Sequence, residues 1–107
     1  MTYRQFVVVR TDIAPVHQTI QAAHAGILAQ AEHGHKIPGD PATRHLIILS
    51  VGGPFRLGLA RTFVSMFFGV PTSSFVEDSP PYGFTAFSFF SSRPRFGIPF
   101  VKLWTVP

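Results

Sequence analysis

The chain has 107 residues, a length that suits one domain with one core. Hydrophobic residues make up 46% and charged residues only 13%, which excludes a disordered or low-complexity chain. Nine Lys and Arg against five Asp and Glu give a net charge of +4, which admits a polyanionic partner, and the absence of cysteine excludes disulfides and thiolate chemistry.

The first segment, MTYRQFVVVR, holds a short apolar run between arginines, without the length or cleavage site of a signal peptide. No apolar run approaches the roughly 18 residues of a membrane helix. The expectation is a cytoplasmic protein that does not enter a membrane. YRQFVVVR reads as a strand buried on both faces around Val7–Val9. Asp12 is placed to cap the next element, and Pro15 suits a first helical turn. That helix runs to about Glu32, and the glycines and prolines of HGHKIPGDPATR make a loop.

HLIILSV is a second strand, uniformly apolar and so expected at the centre of a sheet. Gly52, Gly53 and Pro54 end it. FRLGLARTFVSMFFG reads as a second helix carrying Arg56 and Arg61, with Gly69 as its stop. TSSFVE is a third strand, DSPPYG a turn and FTAFSFF a fourth strand. The order βαβαββ predicts a single α/β domain with a four-stranded mixed sheet flanked by helices. Its core is parallel, with an antiparallel strand added at the end. Residues 91–107 form a proline- and aromatic-rich tail, which carries Phe96, Phe100 and Trp104 beside Arg93, Arg95 and Lys102. Packing over the sheet is the expected role of that tail.

The first helix carries the candidate chemistry. At 100° per residue, Val16, Ile20, Ala23 and Ile27 share one face, read as the stripe that meets the sheet. His17, Gln21, His24 and Leu28 lie beside it, starting where the first strand ends. Ligands of open α/β sheets bind outside the carboxyl ends of the strands. His17 and His24 are two turns, about 10 Å, apart, too far to share a zinc at ~2 Å bond lengths. No metal is therefore expected. Phosphate-loop and nucleophile-elbow motifs are absent. Acidic residues are few, so Glu77 and Asp78 at the end of the third strand stand out. With a nearby histidine, one such carboxylate can orient water for ester hydrolysis. A carboxylate shaping a turn before two prolines is the competing reading.

VVVRTD, a helix bearing QAAHA, HLIILSV, and GVPTSSFVEDSPPYGFTAF follow one another in an order that resembles the type 2 peptidyl-tRNA hydrolase family. The resemblance covers about residues 4–90. It implies hydrolysis of the ester joining a peptide to the 3′ end of tRNA, without a metal or other cofactor, by a protein that is often a homodimer. Arg10, Asp12, Gln21 and His24 match the first motif. Asp78 matches the strand-end aspartate, or Glu77 does if the register slips by one. The lysine that usually precedes the first helix is replaced by His17. SPPYGFT stands in place of the usual hydroxyl-bearing segment, leaving Ser79 or Thr85 as hydroxyls.

By that resemblance His17 and Asp78 are the expected catalytic pair, with Asp12, Gln21, His24 and Thr85 in support. Arg10, Arg56, Arg61, Arg93 and Arg95 are the candidates for tRNA phosphates. Two other readings stand beside this one. One is an RNA-binding module that has lost catalysis, and the other is an interaction protein that uses its aromatic tail.

Overall fold

The computed structural model describes residues 3–77, 83–92, 98 and 101–105. Asp78, Ser79, Arg93 and Arg95 lie outside the described residues. Among the described residues there are five strands and two α-helices: β1 (Arg4–Arg10), α1 (Pro15–His33), β2 (Leu46–Val51), α2 (Pro54–Phe63), β3 (Ser73–Glu77), β4 (Gly83–Ser91) and β5 (Lys102–Leu103). The fold is thus α/β with a five-stranded mixed sheet of order β3-β4-β1-β2-β5, not four-stranded. The extra strand comes from the tail, where Leu49 and Ser50 of β2 pair antiparallel with Leu103 and Lys102. Two residues carry no periodicity, so this short edge strand left no signal in the sequence.

The strand order also departs from expectation. β1 and β2 are parallel, from Gln5 opposite Leu46 to Arg10 opposite Val51. The antiparallel β4 is inserted beside β1 rather than added at an edge, and β3 pairs outside it. Burial explains the placement. β4 is buried at every residue from Thr85 to Ser91, as a central strand must be, whereas Val76 of β3 is exposed. β1 is buried on both faces from Phe6 to Val9.

The sheet separates two unequal layers. On the α2 side, Phe6, Phe87 and Phe89 pack with Val8, Leu49, Leu57 and Val64. The Phe6 and Phe89 rings stack at 5.1 Å. On the α1 side the buried residues are Val7, Val9, Ala22, Ala25 and Ala86. Large side chains fill one layer and small ones the other, so α1 lies close against the sheet. A Cβ on Gly26 would sit 3.6 Å from Gln5 Nε2 and 3.7 Å from Val7.

This thin layer reverses the expected orientation of α1. Gln18, Gln21, Ala22, Ala25 and Ala29 face the sheet, while Val16, Ile20, Ala23 and Ile27 face outward. Alanines let the helix approach, and the two buried glutamines find hydrogen-bond partners that offset their desolvation. Asp12 does not cap α1. Ala14 stands at the N-cap with no side-chain bond, and Pro15 opens the helix. The second helix is regular only to Phe63. A π-helical turn, Val64–Phe68, continues it to Gly69, whose left-handed φ of 66° ends it.

Candidate active site

β3 is antiparallel to β4 and β4 to β1, so β1, β2 and β3 all point the same way. Their carboxyl ends, at Arg10, Val51 and Glu77, share one edge with the starts of α1, α2 and β4. That edge is where polar side chains from distant segments meet.

Gln21 lies at the centre of it. Its side chain is 2% exposed, and its Nε2 donates to Glu77 Oε2 at 3.2 Å. Its Oε1 accepts from the Thr85 hydroxyl at 3.3 Å. Thr85 Oγ1 also lies 3.4 Å from the Phe75 carbonyl oxygen. A carboxylate only accepts, so the amide nitrogen of Gln21 must face Glu77, and its oxygen is left for Thr85. The bulge in the β3–β4 pairing brings Thr85 there. Phe75 pairs with Ala86 and Val76 with Phe84, leaving Thr85 as the extra residue on β4. The arrangement holds a half-buried carboxylate in one orientation at the strand ends, where it can direct water.

Arg10 and Asp12 form the second cluster. Arg10 Nε and Nη2 donate to Asp12 Oδ1 and Oδ2 at 2.6 and 2.7 Å, a bidentate pair. Arg10 Nη1 also donates to the Phe84 carbonyl at 3.2 Å, tying the end of β1 to the start of β4. The hydrogen bond to Asp12 raises the Arg10 pKa above its usual value. The same bond lowers the Asp12 pKa below the ordinary carboxylate range, against the opposing pull of partial burial. Asp12 also lies under the β2–α2 turn, 3.8 Å from where a Gly53 Cβ would stand.

The other expected residues have mixed placements. His17 is half-buried on α1, one turn before Gln21, which puts the two Cβ atoms about 5–6 Å apart. His24 is exposed, and its ring stacks on Phe75 at 4.7 Å, so it braces α1 against β3. Arg56 is exposed at the start of α2, near Gly52. Arg61 is exposed as well, but its Nη1 donates to Ser74 Oγ at 3.3 Å and its guanidinium covers the Phe84 ring at 5.3 Å.

Gln18 and Gln5 escaped the sequence reading. Gln18 Nε2 donates to the Ile13 carbonyl at 2.9 Å, and its Oε1 accepts from Trp104 Nε1 at 2.9 Å, which pins the tail to α1. Gln5 Nε2 donates to the Gly26 carbonyl at 2.8 Å across the helix–sheet contact. Alternation of Gln5 with Phe6 within the strand was the one available signal.

An apolar recess of about 450 Å³ opens on the other flank of α1, between Ala23 and Ile27 on one wall and Leu46, Ile48 and Trp104 on the other. Among the described residues no titratable side chain lines it, and Gln21, Glu77 and Thr85 are not part of its wall. Among the described residues no three His, Asp or Glu side chains are grouped to hold a metal ion. None of the described helices is long and apolar enough to cross a membrane.

No family model and no curated protein matches the chain. Among solved structures the chain is similar to Atu0240, a protein of unknown function from Agrobacterium tumefaciens strain C58. The two superpose with a TM-score of 0.70 at 15% identity, over 98% of this chain and 99% of that one. The likeness shows a shared fold across the whole domain.

Proposed function

We propose that this protein hydrolyses an acyl ester at the 3′ end of tRNA, in the manner of the type 2 peptidyl-tRNA hydrolases it resembles. The observation that carries the reading is the Glu77–Gln21–Thr85 chain. It joins two of the segments on which the resemblance rests, the QAAHA helix and the acidic end of β3, at the edge of the sheet where a substrate would lie.

In this reading a carboxylate, Glu77 at the end of β3 or its sequence neighbour Asp78, orients a water and takes its proton as oxygen attacks the ester carbonyl. Gln21 fixes Glu77, and Thr85 fixes Gln21, so both are positioning residues. Protonated His17 stabilises the developing oxyanion in place of the family's lysine. The carbonyl carbon–ribose oxygen bond then breaks, and the proton held by the carboxylate passes to the leaving 3′-hydroxyl. Arg56 and Arg61 would meet the phosphates, with Arg93 and Arg95 of the tail. No acidic residue occurs between Asp40 and Glu77, which favours a polyanion along α2. Arg10 holds the edge together through Asp12 and Phe84. A cytoplasmic location follows from this substrate.

The test is release of N-acyl amino acid from tRNA by the wild type and by Glu77→Gln, Asp78→Asn and His17→Ala. Loss of the oriented carboxylate or of the oxyanion donor should cost on the order of 10²-fold. Salt-dependent tRNA binding without hydrolysis would select the non-catalytic RNA-binding reading. Absence of both would overturn the proposal.

A further inference from the structure

We propose that the recess between α1, the sheet and Trp104 is a binding site for a small, neutral molecule with a flat apolar body and an amide-like polar edge. The recess is concave and built into the fold. Val7 and Ala22, which line it, are 1% and 4% exposed, so they form its floor, while Ile27 and Leu46 stand at its rims, 69% and 57% exposed. The space exists because α1 presents little side chain here. Ala22, Ala23 and Gly26 face Val7 and Ile48 across a gap that a protein interior ordinarily fills. Its volume of about 450 Å³ falls within the range of small-molecule sites.

The third wall is held in place. The Trp104 backbone N–H donates to the Ile48 carbonyl at 2.9 Å, and its indole Nε1 donates to Gln18 Oε1 at 2.9 Å. With both ends of the residue tied, the indole cannot readily fall into the recess, and its ring offers a flat apolar surface to a planar ligand.

The lining also selects the ligand's charge and its polar edge. Among the described residues no titratable side chain lines the recess, so an ion entering it would lose water and gain no partner. Two glutamines in the lining are each half committed. Gln5 Nε2 donates to the Gly26 carbonyl at 2.8 Å, and a carbonyl only accepts, so Gln5 must turn its nitrogen that way. Gln30 Oε1 accepts from Arg44 Nη1 at 3.3 Å, and a guanidinium only donates, so Gln30 must turn its oxygen that way. Gln5 Oε1 and Gln30 Nε2 are left over, one acceptor and one donor. An amide-like edge supplies the complementary N–H and C=O. A carboxylate has acceptors alone and would set an oxygen against Gln5 Oε1.

The experiment uses cinnamamide, a flat neutral amide, and its ionised counterpart cinnamate, each added to the full chain at neutral pH. Trp104 is the one tryptophan, so its indole N–H gives a single NMR resonance from the wall of the recess. Cinnamamide should move that resonance saturably, with a dissociation constant on the order of 1 mM for a ligand of this size. Cinnamate should bind about tenfold more weakly or less, although the chain's net charge of +4 favours an anion at long range. Ala23→Phe, which sets a ring at the mouth from an exposed position, should weaken cinnamamide by about tenfold, and Ile27→Gln, which wets one rim, by about threefold. Phe55→Gln on α2, at a residue 77% exposed, should leave binding unchanged. The proposal is overturned if cinnamamide gives no saturable shift, if cinnamate binds as tightly, if neither α1 variant weakens binding, or if Phe55→Gln weakens it equally. It is overturned too if the Trp104 resonance moves on dilution without any probe, which would give the recess to a second chain.

Discussion

Replacing Gln21 by leucine keeps the buried volume and removes both hydrogen bonds at the centre of the polar edge. Glu77 loses its amide donor, a bond to a charged group worth about 1.5–3 kcal/mol. Thr85 Oγ1 loses its acceptor but keeps the Phe75 carbonyl at 3.4 Å, so its share is smaller, about 0.5 kcal/mol. The expected cost is about 2–3.5 kcal/mol, since Gln21 is buried and water cannot readily replace it. Thr85→Val removes the second bond together with the 3.4 Å contact to the Phe75 carbonyl, and leaves Gln21 Oε1 unpaired, at about 1 kcal/mol. In the double variant that bond is counted once, so the two effects should fall short of additivity by about 0.5–1 kcal/mol. Urea unfolding at one fixed protein concentration measures all four chains, with the fixed concentration holding any association constant. Additivity within about 0.3 kcal/mol would refute a bonded Gln21–Thr85 unit and, with it, the orientation assigned to the Gln21 amide.

Gly26→Ala should raise stability by about 0.5–1 kcal/mol, because the added Cβ meets ordinary contact distances and alanine is the better helix former. Gly26→Leu should destabilise by more than that gain, and thermal melts separate the two. Gly69→Ala should lower the melting temperature, since a left-handed φ costs a β-carbon about 1 kcal/mol. The Asp12 pKa is depressed by Arg10, so its stabilisation is present above the unfolded carboxylate pKa and is lost as pH falls through the folded value. The carboxylate is 35% exposed, so solvent screening keeps the effect below about 1 kcal/mol. Urea midpoints of wild type and Asp12→Asn should accordingly differ at pH 7 and converge in acid. For the proposed hydrolysis, His17→Lys should hold activity at higher pH than the wild type, because lysine keeps its charge to a pKa of roughly 10.4. Superimposable rate–pH profiles would remove His17 from the mechanism.

The elements themselves were legible in the residues because their causes are local. The β-branched run at Val7–Val9 makes a strand, Pro15 opens a helix, and Gly69 closes one through a backbone angle only glycine adopts cheaply. The grouping of Gln21 with the acidic end of β3 was legible in part, since strand ends and helix starts share an edge in this class of fold. Glu77 forms that bond, while Asp78 lies outside the described residues. The face α1 turns to the sheet was beyond local reasoning. Positions 16, 20, 23 and 27 and positions 18, 22, 25 and 29 share the same helical spacing, and the first set is the more apolar. The thin valine and alanine layer above β1 and β4 admits only the second set, because a close helix has no room for isoleucine. The same holds for the insertion of β4 between β3 and β1 and for the two-residue β5. Both depend on which surfaces remain to be covered once the other elements are in place, and no stretch of chain read alone contains that quantity.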